Sequence, residues 1–283
     1  MRLFDSHLHT SYSFDSDAPA ELMCAGYARL GFEGIAVTDH YDIDGIEDGY
    51  YADVDLRKRR RELEALRERY AGNLDIVCGI ELGQPHLRSE SAKRFLEHEN
   101  FGFVIASVHN IRLTPDFIFI NYSAAPDELI ESLYRRYVVE LAQAAAFPGA
   151  DALAHITYPL RYIHRDGRDL DLSHFYGEYR KLFHVMTESG VALEFNTSGL
   201  RKGDETSPTE ELLALYRDCG GTLVSCGSDA HLVSDCGADI ETGYEMLRRA
   251  GFTSLRVPGA TKEIPLCERK NEWKTVFPLP ISV

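Results

Sequence analysis

Short apolar runs alternate with longer amphipathic stretches along almost the whole chain. Segments at 2–4, 34–40, 74–81, 101–109, 151–155, 191–196 and 222–228 are brief and apolar, as buried strands are. Between them the spacing of apolar residues predicts helices at 18–30, 54–70, 89–98, 126–147, a stretch ending near 189, 208–219 and 237–250. Asp17 is the expected N-cap of the first helix, with Pro19 in its first turn. The arginine-rich run in 54–70 reads as a solvated outer face. Strand–helix alternation of this kind predicts an α/β protein with a parallel sheet or barrel. Seven units can be counted, so the expectation is a seven-unit TIM-like barrel over residues 1–283 as one domain. Residues 254–257 suggest a short edge strand, and the tail 258–283 has four prolines and no regular pattern.

Composition narrows the partners. The formal net charge is -15, from 45 acidic and 30 basic residues, which disfavours an extended nucleic-acid or anionic-membrane surface. A small phosphorylated substrate stays compatible with that charge if cations and a few arginines make a pocket locally positive. The six cysteines form no CxxC pair and read as free thiols of a reducing compartment. No apolar run is long enough for a membrane span and no leader is visible, so the expected location is the cytoplasm.

Ligand-type side chains gather at the strand ends. His7 and His9 stand two apart at the end of the first strand and must share a face. His40 ends the second, Glu81 the third, His109 the fourth and His155 the fifth, while Asp229 and His231 follow the seventh. Six of the eleven histidines lie at such ends. In barrels the carboxyl ends of the strands carry the active site, so this bias points to a metal cluster. With Asp15 there are nine candidates, more than one or two ions need at three or four ligands each. Three divalent transition ions (zinc, iron or manganese), with Glu81 bridging two, use them economically.

His7-Leu-His9-Thr10 with Asp15, Thr38-Asp39-His40, Glu81, His109, His155 and Ser228-Asp229-Ala230-His231 resemble the motifs of the polymerase and histidinol phosphatase (PHP) superfamily. The resemblance spans the chain and is strongest to the histidinol-phosphate phosphatase branch, where Asp15 is similar to an acidic ligand of that branch. It implies a distorted seven-unit barrel of PHP type with a trinuclear site that hydrolyses a phosphate monoester. By analogy His7, His9, Glu81 and Asp229 hold one ion, Glu81, His109 and His155 a second, and Asp15, His40 and His231 the third.

The expected chemistry is hydrolysis of a small phosphate monoester, foremost L-histidinol phosphate in histidine biosynthesis, by a hydroxide bridging two ions. Arg161 and Arg201 follow strand ends and are the candidate phosphate clamps, since guanidinium pairs bidentately with phosphate. The proton for the leaving alkoxide is left open between a metal-bound water, Asp229 and His231. His86 and His164 lie on loops of the same rim, whereas His98, His174 and His184 fall on helices or their approaches. Rival readings are a related phosphoesterase acting on nucleotides, an amidohydrolase, and a non-catalytic metal-binding barrel. The second expects a lysine where this chain has His109.

Overall fold

A computed structural model describes residues 3–259 and 263–266. The elements in order are β1 (Phe4–Leu8), α1 (Ala20–Leu30), β2 (Gly34–Val37), β3 (His40–Asp42), α2 (Ile43–Glu47), α3 (Leu56–Arg69), β4 (Asp75–Gly83), α4 (Ser89–His98), β5 (Phe103–Ser107) and α5 (Asp127–Ala145). They continue with β6 (Ala152–Leu153), α6 (Leu160–Arg165), α7 (Tyr176–Ser189), β7 (Ala192–Asn196), α8 (Glu210–Asp218), β8 (Val224–Gly227), α9 (Ile240–Arg249), β9 (Ser254–Leu255) and β10 (Ile264–Pro265). The tail expectation falls mostly outside the described residues, as does Cys267. The other five cysteines are free thiols.

Seven strands follow one another in the order β1-β2-β4-β5-β6-β7-β8, every pair parallel, and β3 pairs with the far end of β4. The sheet curls until its edges meet: Leu8 bridges Ala230, Asp229 N–H donates to His7 O at 2.8 Å and His9 N–H to Ala230 O at 2.9 Å. This is the seven-unit barrel that the alternation predicted, in the distorted form that the resemblance implied. No described helix is long and apolar enough to cross a membrane.

Alternation along the strands sorts side chains between the two faces. Ala36, Phe103, Ile105, Ala152, Ala154 and Ala192 pack together inside the barrel. Leu153, Leu193, Phe195 and Val224 face outward and join the large core beneath the helices. The α9 residues Ile240, Gly243, Tyr244 and Leu247, spaced three and four apart, form its buried stripe. Gly31 and Gly190 end α1 and α7 in the left-handed conformation that a residue without Cβ adopts at least cost.

Three local expectations need correction. Pro19 occupies the N-cap of α1, which starts at Ala20 with no side-chain cap, so Asp17 does not cap it. The second predicted strand is interrupted: β2 stops at Val37 and β3 resumes at His40. The arginine run of α3 is not wholly solvated. Arg59 lies on the same stripe as Leu63 and Leu66 and is 1% exposed.

Candidate metal centre

The inner faces of β4 and β5 lead candidate ligands to the carboxyl rim. Odd residues of β4 point inward, so Glu81 follows Val77 and Gly79 into the barrel, and His109 continues the inner row of Phe103 and Ile105 on β5. His155 is the exception. Ala152 and Ala154 face inward, so plain alternation would aim His155 away. Its backbone adopts φ 23° instead, and its Nε2 arrives 3.0 Å from Glu81 Oε1. Asp229 also sits at positive φ, 55°. Non-glycine residues pay of order 1–3 kcal/mol for such conformations, which concentrate at functional sites.

Gly227 shows how tightly the rim is packed. A Cβ there would lie 2.4 Å from His7 Cβ and 2.8 Å from Glu194 Oε1.

The donor atoms fall into overlapping groups. Glu81 is central: Oε1 lies 3.1 Å from His109 Nε2 and 3.0 Å from His155 Nε2, and Oε2 lies 3.2 Å from His7 Nε2 and 2.9 Å from His40 Nδ1. His7 and His9 face each other at 3.0 Å through their Nε2 atoms, with Asp229 Oδ1 3.3 Å from that of His9. Asp15 Oδ2 stands 3.1 Å from His231 Nε2 and 3.5 Å from His40 Nε2. Groups with spacing fit for an ion are His7-His9-Asp229, Glu81-His109-His155, His9-Asp15-His40-His231 and His40-Asp42-His109. All nine residues expected from the sequence therefore converge on one spot. Apart from Asp15 and His231 they are buried.

Hydrogen bonds decide which nitrogen the His7 and His109 rings present. His7 Nδ1 lies 2.5 Å from the Glu194 carboxylate and His109 Nδ1 lies 2.8 Å from Asp42 Oδ1. An ionised carboxylate only accepts, so both nitrogens carry hydrogen and Nε2 is left bare in the neutral ring. Bare nitrogens then confront carboxylate oxygens at about hydrogen-bond distance. Acceptor facing acceptor is a cradle for cations. Without them, protons take their place: burial pushes His7, His40 and His109 down, but Glu194, Asp42 and Glu81 outweigh it and raise them well above the usual imidazole value. Glu81 and Asp229 are held well below the carboxylate range by the surrounding imidazoles, against burial. His9 is driven to about 3 by burial and by His231 and His40. The donor set fits divalent transition ions, which take imidazole and carboxylate ligands together.

The two arginines occupy different stations. Arg161, on α6, donates to Ser198 Oγ at 2.6 Å, lies 3.9 Å from Asp229 Oδ2 and covers the Tyr158 ring at 5.8 Å. Arg201 spends its guanidinium on Ser228 O (2.6 Å), Asp229 O (2.9 Å) and Asp235 Oδ2 (3.2 Å). The remaining histidines stay apart from the cluster. His86 pairs with Glu140 at 2.9 Å and His164 with Asp204 at 3.0 Å, while His98, His174 and His184 are exposed on or beside helices. Tyr41 stacks on Phe95, but Tyr51 stacks on Phe14, which in turn lies against the His40 ring.

Sequence reasoning missed the side chains that aim the ligands. Glu194 also accepts the His155 N–H at 2.9 Å, so one carboxylate sets two ligands. Gln84 accepts the His109 N–H at 2.9 Å and donates to Asp42 at 3.1 Å. Glu194 had left a trace: a lone acid within an apolar strand, in phase with Ala192 on the inner face.

Comparisons with known proteins agree with this geometry. The family model described as PHP domain matches residues 5–198. A probable histidinol-phosphatase of Thermotoga maritima is 26% identical over 260 residues, 91% of this chain and 96% of that protein. The histidinol-phosphatase of Lactococcus lactis is 25% identical over 264 residues, 90% and 94% respectively. The crystal structure of histidinol phosphate phosphatase from Lactococcus lactis, complexed with zinc, L-histidinol and phosphate, matches with a TM-score of 0.76 over 92% of this chain and 98% of that one. Its 21% identity makes that a likeness of fold.

Proposed function

The chain belongs to the PHP domain family, and from that premise we propose that it is a metal-dependent phosphatase whose substrate is L-histidinol phosphate. The observation that carries this reading is the convergence of nine ligand residues around Glu81, with Arg161 beside Asp229 at the same rim. The relatives over most of the chain's length bear histidinol-phosphatase names, which selects this phosphate monoester above nucleotides.

Three ions are proposed: His7, His9, Glu81 and Asp229 would hold one, Glu81, His109 and His155 a second, and Asp15, His40 and His231 the third, all within the one domain. Bound divalent ions supply Lewis acidity and lower the pKa of water to about 7, giving a nucleophile at neutral pH.

The protein's own part is placement. Glu194 and Asp42 hold the His7 and His109 rings so that each Nε2 faces Glu81. Arg161 is assigned to the phosphoryl oxygens, because its guanidinium faces the Asp229 carboxylate and retains donors beyond its bond to Ser198. Arg201 is assigned to hold the Ser228–Asp229 turn, where its donors are already engaged. Asp229 and His231 act first as ligands, since His231 Nδ1 lies 3.0 Å from Asp229 O and leaves Nε2 for the ion. Solvent water is therefore assigned the leaving-group proton.

The test is phosphate release from L-histidinol phosphate, p-nitrophenyl phosphate and nucleotides, before and after chelation. Fastest turnover of L-histidinol phosphate, abolished by chelator, is expected. Faster turnover of nucleotides would refute the substrate, and full activity after exhaustive chelation would refute the metal chemistry.

A further inference from the structure

A continuous chain of hydrogen bonds leads from helix α3 to a ligand ring. Arg59 Nε donates to Asp39 Oδ2 at 2.6 Å, and its Nη2 donates to the carbonyls of Val37 and Gly79, both at 2.8 Å. Those carbonyls lie where the ladder between β2 and β4 lapses, before β3 restores pairing at His40 and Glu81. Arg59 Nη1 lies 3.3 Å from Cys78 Sγ. A buried guanidinium from α3 is thus held by the end of β2 and by β4 at once.

Asp39 passes the arrangement on. Its Oδ1 accepts from Thr10 N–H at 2.6 Å, Thr10 Oγ1 at 2.9 Å and Ser13 Oγ at 3.0 Å. A serine has one hydroxyl proton, and Ser13 gives it to Asp39. Its lone pairs must then receive from elsewhere: His40 N–H lies at 3.1 Å and His9 Nδ1 at 3.0 Å. His9 consequently carries its hydrogen on Nδ1 and keeps Nε2 bare. That Nε2 is the atom facing His7 and Asp229.

We infer that Arg59 is a positioning residue of the metal centre, acting through Asp39 and Ser13 to fix the tautomer and orientation of His9. The inference rests on the metal-centre reading above. Arg59 fixes the rotamer of Asp39, Asp39 fixes the direction of the Ser13 hydroxyl, and Ser13 leaves His9 one way to hydrogen-bond. Outer partners of this kind change metal affinity when removed, although they never touch the ion.

The experiment titrates metal-free protein with zinc against a competing chelator and compares the variants Ser13→Ala and Arg59→Lys with the double variant. Ser13→Ala, in a loop, is expected to weaken zinc binding about 10–100-fold while circular dichroism shows the metal-free barrel still folded. Arg59→Lys keeps the charge but not the fork, and its loss should overlap that of Ser13→Ala, so the double variant binds no more weakly than the worse single one. Imidazole ¹⁵N spectra should show the His9 hydrogen on Nδ1 in the parent and a mixture in Ser13→Ala. Parental zinc affinity in Ser13→Ala, or strictly additive losses, would overturn the relay. An Arg59→Lys protein that melts earlier but binds zinc like the parent would make Arg59 purely structural. Failure of the parent itself to bind zinc would overturn the metal centre beneath it.

Discussion

The two ends of this barrel are built from the same strands and obey opposite rules. Toward the amino ends the interior is filled by Ala36, Phe103, Ile105, Ala152, Ala154 and Ala192. A few residues farther along, the same inner rows carry Glu81, His109 and Glu194, with His155 turned in beside them, and all four are buried. Burying the floor stabilises by roughly 25 cal/mol per Å² of apolar surface. Burying the rim costs several kcal/mol per charge unless partners compensate. The floor holds the strands while the rim, kept in order by Glu194, Asp42 and Gln84, is free to be unfavourable until cations arrive. Stability and ligand geometry are therefore carried by different layers of one structure.

The largest blow to the rim is Glu81→Ala, which removes the carboxylate on which His7, His40, His109 and His155 converge. Phosphatase activity should fall by more than the roughly 100-fold that loss of an orienting partner produces, with a folded barrel by circular dichroism. An active Glu81→Ala would show that the two ends are not so divided.

Ile105→Ala attacks the floor instead. It should cost about 2–5 kcal/mol of unfolding free energy by denaturant titration, yet leave zinc affinity at the parental level well below the transition. Glu194→Gln falls between the layers: zinc affinity should drop about 10–100-fold because both His7 and the His155 backbone lose their carboxylate acceptor.

The smallest effect separates metal-free from metal-loaded protein by pH. His7, His40 and His109 are raised, so their contribution is complete below the ordinary imidazole value of 6.5 and is lost as pH climbs through their folded values. Glu81 is lowered, so its contribution is complete above its ordinary 4.5 and lost as pH falls toward its folded value. His9, at about 3, opposes stability progressively below 6.5. Melting of the chelated protein should therefore peak toward the upper end of the 4.5 to 6.5 window. Metal-loaded protein should instead gain stability through neutral pH, since ions compete with protons for the same nitrogens. Coincident melting profiles would contradict the cradle.

Much of this site was legible because its ligands are common metal-binding types at the ends of apolar runs. His7 with His9, and Asp229 with His231, stand out because each pair closes an apolar run and the same placement recurs at other strand ends. Arg59 did not. It stands in a run of arginines that looks solvated, and only its phase with Leu63 and Leu66 marks it as inward. The side chains that aim the rings were silent for a related reason, since an orienting carboxylate need only lie near its imidazole in space. Asp42 and His109 come from separate segments that β4 brings together.

Alternation along the chain determined the barrel and the rim at which most of the candidate ligands stand, because strand period and residue chemistry are local properties. Tertiary structure alone decided which nitrogen of His7 and of His109 faces inward, how the donors of Arg161 and Arg201 are engaged and how His155 escapes its own alternation. Those outcomes depend on register, on backbone closure between β1 and the turn after β8, and on hydrogen-bond partners from other elements, as Glu194 is to His7 across 187 residues. No single segment contains all of that information.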